Sequence, residues 1–333
     1  NKMRKKWIRG GIFLCLVLLL LNNLNRVLCV KSPHGVDQTR YLYVQPKNKI
    51  DVLFLGSSHV HCNVNTQLLW DDYGMAAYLM TGAEQPLWNS YYNLKEALKT
   101  QKPKLVVLDM FCPSRFYDDF QPGWADENLD GMRISLNKLE AVYTSVQEEQ
   151  SHFFLGFTEY HSRYDQLTAE DFQNFVWNRK TQERWKGYTP LNRHAELTEP
   201  DMSHVTTSQE MTEKSKEYFE KIVELTKKEG IALALISGPY LLEERDQEVY
   251  NSIGQLAEKD GLLFWNTNTP AHYREMGLDF STDYADHAHL NEAGGAKYTA
   301  YLGKWLSQNY SFPDRRGQKG YESWENQLVK SGE

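Results

Sequence analysis

The tetrapeptide Gly56-Ser57-Ser58-His59 directly follows a short, mainly apolar run at residues 51–55. A serine on a tight glycine turn between a strand and a helix exposes its hydroxyl group. The N–H groups at the start of such a helix can stabilise a developing oxyanion. The motif therefore favours a nucleophilic serine. The ordinary alternative is a helix cap, because serine is a preferred capping residue.

A second motif, Asp286-His287-Ala288-His289, lies just before the last helical pattern of the chain. A serine nucleophile requires a base within hydrogen-bond reach, and that base requires an orienting carboxylate. Asp286 and His289, three residues apart, can supply both. By itself, the spacing also fits a chance pair in which the histidine only caps a helix or packs.

The elements that must position these motifs alternate between short apolar runs and helical patterns. This alternation predicts an α/β fold with three layers and a mostly parallel five-stranded sheet. The predicted strands lie at residues 51–55, 75–81, 104–109, 231–236 and 262–265. The predicted helices lie at residues 66–73, 86–98, 208–229, 244–259 and 292–307. Active sites of such sheets lie at the carboxyl ends of the strands, where the first motif falls.

The alternation is interrupted between residues 113 and 205 by a segment rich in aromatic, Asp and Arg residues. We interpret this segment as an insertion on a catalytic domain of residues 51–310, with helical pieces at 134–150 and 169–177. Insertions of this kind often shape a substrate cleft. Arg163, inside the insertion, is a candidate for substrate binding, although an ion pair with a nearby acid is the favoured interpretation.

The first thirty residues combine a basic flank with an apolar run at residues 12–21 that resumes at positions 24 and 27–30. A membrane-spanning helix needs about 20 mainly apolar residues. We therefore expect an uncleaved signal anchor at residues 1–30, with the rest of the chain exported as a single-pass protein. A cleaved signal peptide is the alternative. A polar linker at 31–50 and a polar tail at 311–333 complete the predicted organisation.

The charge distribution limits the possible partners. The whole chain carries a net charge of −7, and its first thirty residues hold six basic and no acidic side chains, so the remainder carries −13. Such a surface repels nucleic acids and anionic polymers, which makes a neutral polysaccharide the better match. The chain has no glycine-rich nucleotide loop and no Cys-x-x-Cys pair, so neither a cofactor nor a metal is expected. Cys62 and Cys112 both follow predicted strands, and a bridge between them is an open alternative.

The two motifs taken together resemble the SGNH/GDSL hydrolase superfamily over residues 51–308. Members of this superfamily place the nucleophile after the first strand and an Asp-x-x-His motif before the last helix. The resemblance implies that Ser58 is the nucleophile, His289 the base and Asp286 the orienting acid. Three nearby side chains are not selected by the match; they are His59, Asp283 and His287.

The same resemblance implies an oxyanion hole formed by the backbone N–H groups of Ser58 and Gly82. The third block of the family normally supplies an asparagine, but here the third strand ends in Asp109-Met110-Phe111. This departure leaves Gln85 and Asn89 as candidates for the missing contact or for substrate binding.

The loss of that asparagine, the Gly-Ser-Ser-His motif and the single anchor resemble a branch of exported O-acyltransferases. Such enzymes acylate cell-wall or secreted polysaccharides beside a membrane-bound O-acyltransferase, which would be the partner and acyl donor. The resemblance implies O-acetyl transfer through an acyl-serine intermediate. Two alternatives remain open: a carbohydrate or small-ester acetylesterase with the same triad, and an inactive polysaccharide-binding scaffold.

Overall fold

The computed structural model describes residues 2–28, 34–156, 160–172 and 185–325, and it divides into two units. The smaller unit comprises Asn1–Ser32 and Glu148–Gln182, and the larger comprises Pro33–Gln147 and Glu183–Glu333. This division differs from the predicted organisation, in which residues 113–205 form one insertion, because the two units share that segment.

The smaller unit contains helix α1, Lys2–Leu28, which begins in the basic flank and continues through the apolar run. Its most apolar 18-residue window has a mean hydropathy of 1.8, so the helix is long and apolar enough to cross a membrane. A signal sequence has the same properties. The described remainder of this unit includes three short 3-10 turns, Gln150–Phe153, His161–Asp165 and Ala169–Phe172. The last replaces part of the helix predicted at 169–177, and residues 173–177 lie outside the described residues.

Five parallel strands form the central sheet of the larger unit. They are β1 Val52–Gly56, β2 Ala77–Thr81, β3 Leu105–Asp109, β4 Ala232–Ser237 and β5 Leu263–Asn266. Their order is β2-β1-β3-β4-β5, so the chain changes direction across the sheet between β1 and β3. The predicted α/β class and five-stranded parallel sheet are confirmed. In an open parallel sheet this reversal creates a crevice at the carboxyl ends of the two strands.

Helices cover both faces of the sheet, as the complete burial of β1, β2 and β3 requires. The helices are α2 Val36–Leu42, α3 Ser58–Asn63, α4 Thr66–Tyr73, α5 Leu87–Ala97, α6 Phe111–Arg115, α7 Ala125–Leu129, α8 Leu136–Ser145, α9 Glu213–Glu229, α10 Glu244–Asp260, α11 Pro270–Met276, α12 Glu292–Asn309 and α13 Glu322–Glu325. On one face, α3 and α4 pack with α12, and on the other α5 packs with α8 and α9. Helix α9 begins five residues later than predicted because Thr212 caps it, accepting a hydrogen bond from the N–H of Ser215.

Two segments predicted as polar linker and polar tail are packed instead. Helix α2 lies within the predicted linker 31–50, and its Val36 and Leu42 are only 2% and 0% exposed. Within the predicted tail, the Trp324 side chain is fully buried, and its indole N–H donates to the Ala77 carbonyl at 3.1 Å. Both segments are polar on average, so their composition does not reveal the few apolar side chains whose burial attaches them to the rest of the unit.

Cys62 and Cys112 are buried free thiols in the structure. The bridge that the sequence left open is therefore not formed.

Candidate active site

The turn after β1 requires glycine at position 56. Gly56 has φ +149°, and an added Cβ atom would lie 2.4 Å from the Cβ of Asp109. The next residue, Ser57, is the N-cap of α3, and its hydroxyl accepts a hydrogen bond from the N–H of His59. Ser57 is thus the capping serine, and Ser58 is the first helical residue, with a partly exposed side chain. The two serines have different roles, which the sequence motif alone does not reveal.

The carboxylate of Asp109, at the end of β3, hydrogen-bonds the turn that follows β1. Its Oδ2 accepts a hydrogen bond from the Ser57 hydroxyl at 3.0 Å, and its Oδ1 accepts one from the N–H of Phe111 at 3.3 Å. Burial raises the pKa of Asp109 to about 6, and the hydrogen bonds from Ser57 offset part of that rise. Sequence reasoning noted Asp109 only as a departure from the family pattern. The sequence does contain a signal for this contact: Asp109 is an acidic residue at the end of an apolar strand, β3, which pairs with β1.

Asp109→Asn should change how stability depends on pH. Because the pKa of Asp109 is higher in the folded chain than its unfolded value of about 3.9, the folded chain holds an extra proton between the two values. The stability associated with this group is therefore lost as pH rises from about 4 to about 6, by roughly 3 kcal/mol for a shift of about two pKa units. Denaturant unfolding at both pH values should show that the variant gains stability relative to the wild type as pH rises. A constant difference would contradict this account.

Three predicted side chains are aligned at the carboxyl edge of the sheet. Ser58 Oγ lies 2.7 Å from His289 Nε2, and His289 Nδ1 lies 2.8 Å from Asp286 Oδ1. The same Asp286 oxygen accepts hydrogen bonds from the N–H groups of Ala288 and His289, at 2.9 and 3.0 Å. These bonds hold the carboxylate against the ring. An imidazole with its Nδ1 fixed by a carboxylate can present Nε2 as a base to the serine hydroxyl.

The loop that carries His289 is attached directly to the helix that carries Ser58. Asn63, at the end of α3, accepts a hydrogen bond from the N–H of Leu290 through its Oδ1 at 3.1 Å. Asn291 then caps α12 by accepting from the N–H of Gly294. Sequence reasoning did not identify Asn63, because its partner is 227 residues away and no local pattern links them.

The electrostatic environment favours a neutral His289 beside an ionised Asp286. Burial lowers the pKa of His289; Asp286 only partly offsets this, while Arg193 and His287 add to it. Burial opposes ionisation of Asp286, but His289, the N–H of Ala288 and Arg193 outweigh it and lower the pKa of this carboxyl. A histidine that is neutral near pH 7 is able to accept a proton from the serine.

Arg193→Gln should move the acid limb of the activity profile to higher pH. Activity that needs neutral His289 is lost as pH falls through its pKa, which lies below the usual value of about 6.5. Arg193 lies 2.9 Å from Asp286, and its positive charge helps to lower the pKa of His289, so removing it raises that pKa. The guanidinium is 66% exposed, so the shift should be under about one unit and should shrink in high salt. Measuring kcat/KM for an activated acetyl ester against pH tests this; a limb at or below that of the wild type would refute it.

The predicted oxyanion donors are not equally available. Ser58 is the first residue of α3, where backbone N–H groups have no acceptor within the helix. The N–H of Gly82 instead donates to the carbonyl of Gly56 at 3.3 Å, so this group is already paired and the predicted role of Gly82 lacks geometric support. The reason is strand pairing, since Gly82 extends the β1–β2 ladder by one residue.

The two amides predicted as substrate contacts are buried parts of the fold. Gln85 is 2% exposed; its amide donates to Ser90 at 2.9 Å and accepts from Asn93 at 2.8 Å. Asn89 is also 2% exposed and accepts a hydrogen bond from Ser145 at 2.6 Å. Neither is therefore supported as a substrate contact, because the polar atoms named are already paired inside the protein.

Arg163 lies in the smaller unit and has internal partners. It donates to the carbonyl of Leu28 at 2.5 Å and lies 3.4 Å from Asp171. These contacts agree with the ion pair favoured from the sequence. Asp283, one of the unselected competitors, accepts from Lys297 at 2.7 Å and is 4% exposed, which marks it as a structural acid.

No protein-family model matches this chain, and no curated protein was found to match its sequence. The interpretation of the site therefore depends on its residues and their geometry. A serine, a neutral histidine and a carboxylate aligned at a strand end can carry out acyl transfer through a covalent intermediate.

Proposed function

We propose that this protein is a serine-dependent O-acyltransferase that forms an acyl-Ser58 intermediate. The observation that carries the proposal is the hydrogen-bonded line from Ser58 through His289 to Asp286, with spacings of 2.7 and 2.8 Å. Three further features support it: the pKa of His289 is lowered, the side chain of Ser58 is partly exposed, and Ser58 lies two residues after the end of β1, where the strand order reverses between β1 and β3.

The reaction proceeds in two displacements. His289 takes the hydroxyl proton of Ser58 while the serine oxygen attacks the acyl carbon of an ester donor. The leaving alcohol then receives that proton from His289, and acyl-Ser58 remains. In the second half, a hydroxyl of the acceptor attacks acyl-Ser58 while His289 takes its proton; the bond between Ser58 Oγ and the acyl carbon breaks, and His289 returns the proton to Ser58. Asp286 holds the ring in the required tautomer and stabilises its charged form.

We propose a neutral polysaccharide hydroxyl as the acceptor and an acetyl group as the cargo. The net charge of −13 outside the first thirty residues disfavours an anionic acceptor such as nucleic acid. The apolar helix α1 with its basic flank supports a single-pass anchor that leaves the larger unit outside the cytoplasm. The resemblance to exported O-acyltransferases supports a membrane-bound O-acyltransferase as the partner that delivers the acyl group.

An acetylesterase would use the same three residues. The two activities differ only in whether a sugar hydroxyl or water attacks acyl-Ser58. The inactive polysaccharide-binding scaffold finds some support in the paired N–H of Gly82, which leaves the oxyanion hole with fewer backbone donors than the sequence predicted.

The experiment that separates these functions is intact-mass analysis of the full-length protein in detergent with an activated acetyl ester. We expect an acetyl adduct on the wild type that passes to neutral oligosaccharides when these are added. Release to water at a rate that no sugar changes would instead indicate an esterase. A folded wild-type protein that forms no adduct and shows no turnover would contradict the proposal and favour the scaffold.

A further inference from the structure

The polar side chain that follows Ser58 has no hydrogen-bond partner in the part of the chain that the structure describes. His59 follows Ser58 in the first turn of α3 and is only 2% exposed, and neither of its ring nitrogens is paired among the described residues. The ring stacks on Phe111 with centroids 3.5 Å apart and meets the edge of Tyr240 at 4.9 Å. Aromatic contacts thus hold the side chain in place, and they leave both ring nitrogens without a hydrogen bond among the described residues.

Packing alone does not explain a histidine at this position. Burial lowers the pKa of His59, and the proximity of His289 and Arg115 adds to the effect, so the ring is neutral and carries one donor and one acceptor. Leaving a buried polar group unpaired costs about 1–3 kcal/mol, whereas an apolar ring of the same shape costs nothing of this kind. The two unpaired nitrogens leave the ring able to hydrogen-bond a group that is present only during the reaction.

The position of the ring suggests which partner this is. Its centroid lies 5.5 Å from that of His289, whose Nε2 faces Ser58. Attack by Ser58 places negative charge on the acyl oxygen, and removing a single donor to such an oxygen costs about 10²–10³ in rate. The N–H of Ser58 is one donor, and the N–H of Gly82 is already paired. The site therefore needs another donor beside the nucleophile.

A second polar side chain on α3, that of Asn63, is a weaker candidate for this donor. Its Nδ2 atom is also buried and has no partner among the described residues. Asn63 lies five residues after Ser58, which is about 7.5 Å further along the helix axis. Its Oδ1 is fixed by the N–H of Leu290, so the side chain is tied to the opposite end of α3.

We propose that the imidazole N–H of His59 donates a hydrogen bond to the acyl oxygen while Ser58 attacks, which makes His59 a second oxyanion donor. This inference rests on the proposed acyl transfer. The Ser58 Oγ–carbon bond forms, the serine proton moves to His289, and the carbonyl π electrons move onto the acyl oxygen. That oxygen accepts hydrogen bonds from the N–H of Ser58 and the ring of His59, which keeps its proton. The carbonyl re-forms as the alcohol leaves with the proton from His289.

A buried donor suits this role. Hydrogen bonds to developing charge are stronger where water is excluded. Catalytic hydrogen bonds are also often loose in the resting enzyme and tighten only when the substrate is bound. The stacking on Phe111 holds the His59 ring in place while no substrate is bound.

The test compares His59→Phe and His59→Gln in the full-length protein, with Tyr273→Phe as the matched control. Tyr273 is buried in α11, and its hydroxyl has no hydrogen-bond partner among the described residues, so its replacement also removes an unsatisfied polar atom, but in a helix that carries none of the proposed catalytic residues. We expect His59→Phe to lower kcat for acylation by an activated acetyl ester by about 100-fold with little change in KM, and to leave the melting temperature equal or higher. His59→Gln retains a donor and should recover part of the rate. Tyr273→Phe should acylate at the wild-type rate.

The possible outcomes are distinct. If the wild type acylates and His59→Phe acylates equally fast, His59 contacts at most a buried water, and the inference is overturned while the proposed function stands. A rate that falls together with the melting temperature, with no recovery in His59→Gln, would assign His59 to packing and also overturn it. If the folded wild type never forms acyl-Ser58, the proposed function fails and the inference fails with it.

Discussion

Ser58→Ala should abolish the acyl-enzyme and lower kcat/KM for an activated acetyl ester by about 10⁴- to 10⁶-fold. The hydroxyl of Ser58 is the atom that faces His289, at 2.7 Å, and no other serine oxygen in the described residues is paired with that ring. In established serine enzymes with a Ser-His-Asp triad, removal of the serine alone costs nearly as much as removal of the whole triad. Intact-mass analysis reports the adduct, and a steady-state assay reports the rate.

The neighbouring Ser57→Ala provides the control for this prediction. Ser57 caps α3 and donates to Asp109, so its loss should cost about 1 kcal/mol of stability but keep the nucleophile. We expect this variant to form the acetyl adduct and to unfold at a lower temperature. An adduct retained in Ser58→Ala and absent from Ser57→Ala would reverse the assignment of the two serines.

Asp286→Asn should lower kcat by about 10⁴-fold while the protein stays folded. The asparagine oxygen can still accept the N–H of Ala288, but an amide no longer fixes the ring of His289 in the tautomer that leaves Nε2 as base. The loss should appear in the rate of acylation measured with saturating ester. Acylation within tenfold of the wild type would show that Asp286 is not the orienting acid.

Asp283→Asn is the matched contrast for Asp286→Asn. The carboxylate of Asp283 is 4% exposed and pairs with Lys297 and with the N–H of Asp279, each at 2.7 Å. Loss of these contacts of a buried carboxylate should lower the melting temperature. Because Asp283 has no contact with His289 among the described bonds, the acyl-enzyme should still form.

The predicted strands agree with the structure to within about two residues because each is a compact apolar run with a clear end. The helix Thr66–Tyr73 was predicted with its observed bounds, since Asn65 caps its start and Gly74 ends it in a left-handed conformation. Helix α2 and the segment around Trp324 were missed. Their burial depends on one or two apolar side chains in polar surroundings, and no local period reveals it.

At the site, too, residues in short motifs could be predicted from the sequence, whereas contacts between residues far apart in the chain could not. Ser58, Asp286 and His289 stand in short motifs whose chemistry can be recognised from residue type and spacing. The supporting contacts of Asn63 and Asp109 join residues 227 and 52 positions apart, respectively. The pairing of the Gly82 N–H depends on the register of β1 and β2, which residue types do not specify.

The bond between Ser58 and His289 joins residues 231 positions apart, and the Leu290–Asn63 bond closes a similar distance. A ribosome adds about 5–20 residues per second, so His289 emerges roughly 10–50 s after the serine. During that interval Ser58 lacks both His289 and the loop that positions the His289 ring. Under the proposed function, a nascent chain, or one truncated before His289, is therefore unable to form acyl-Ser58, and acyl transfer becomes possible only when α12 has docked onto α3.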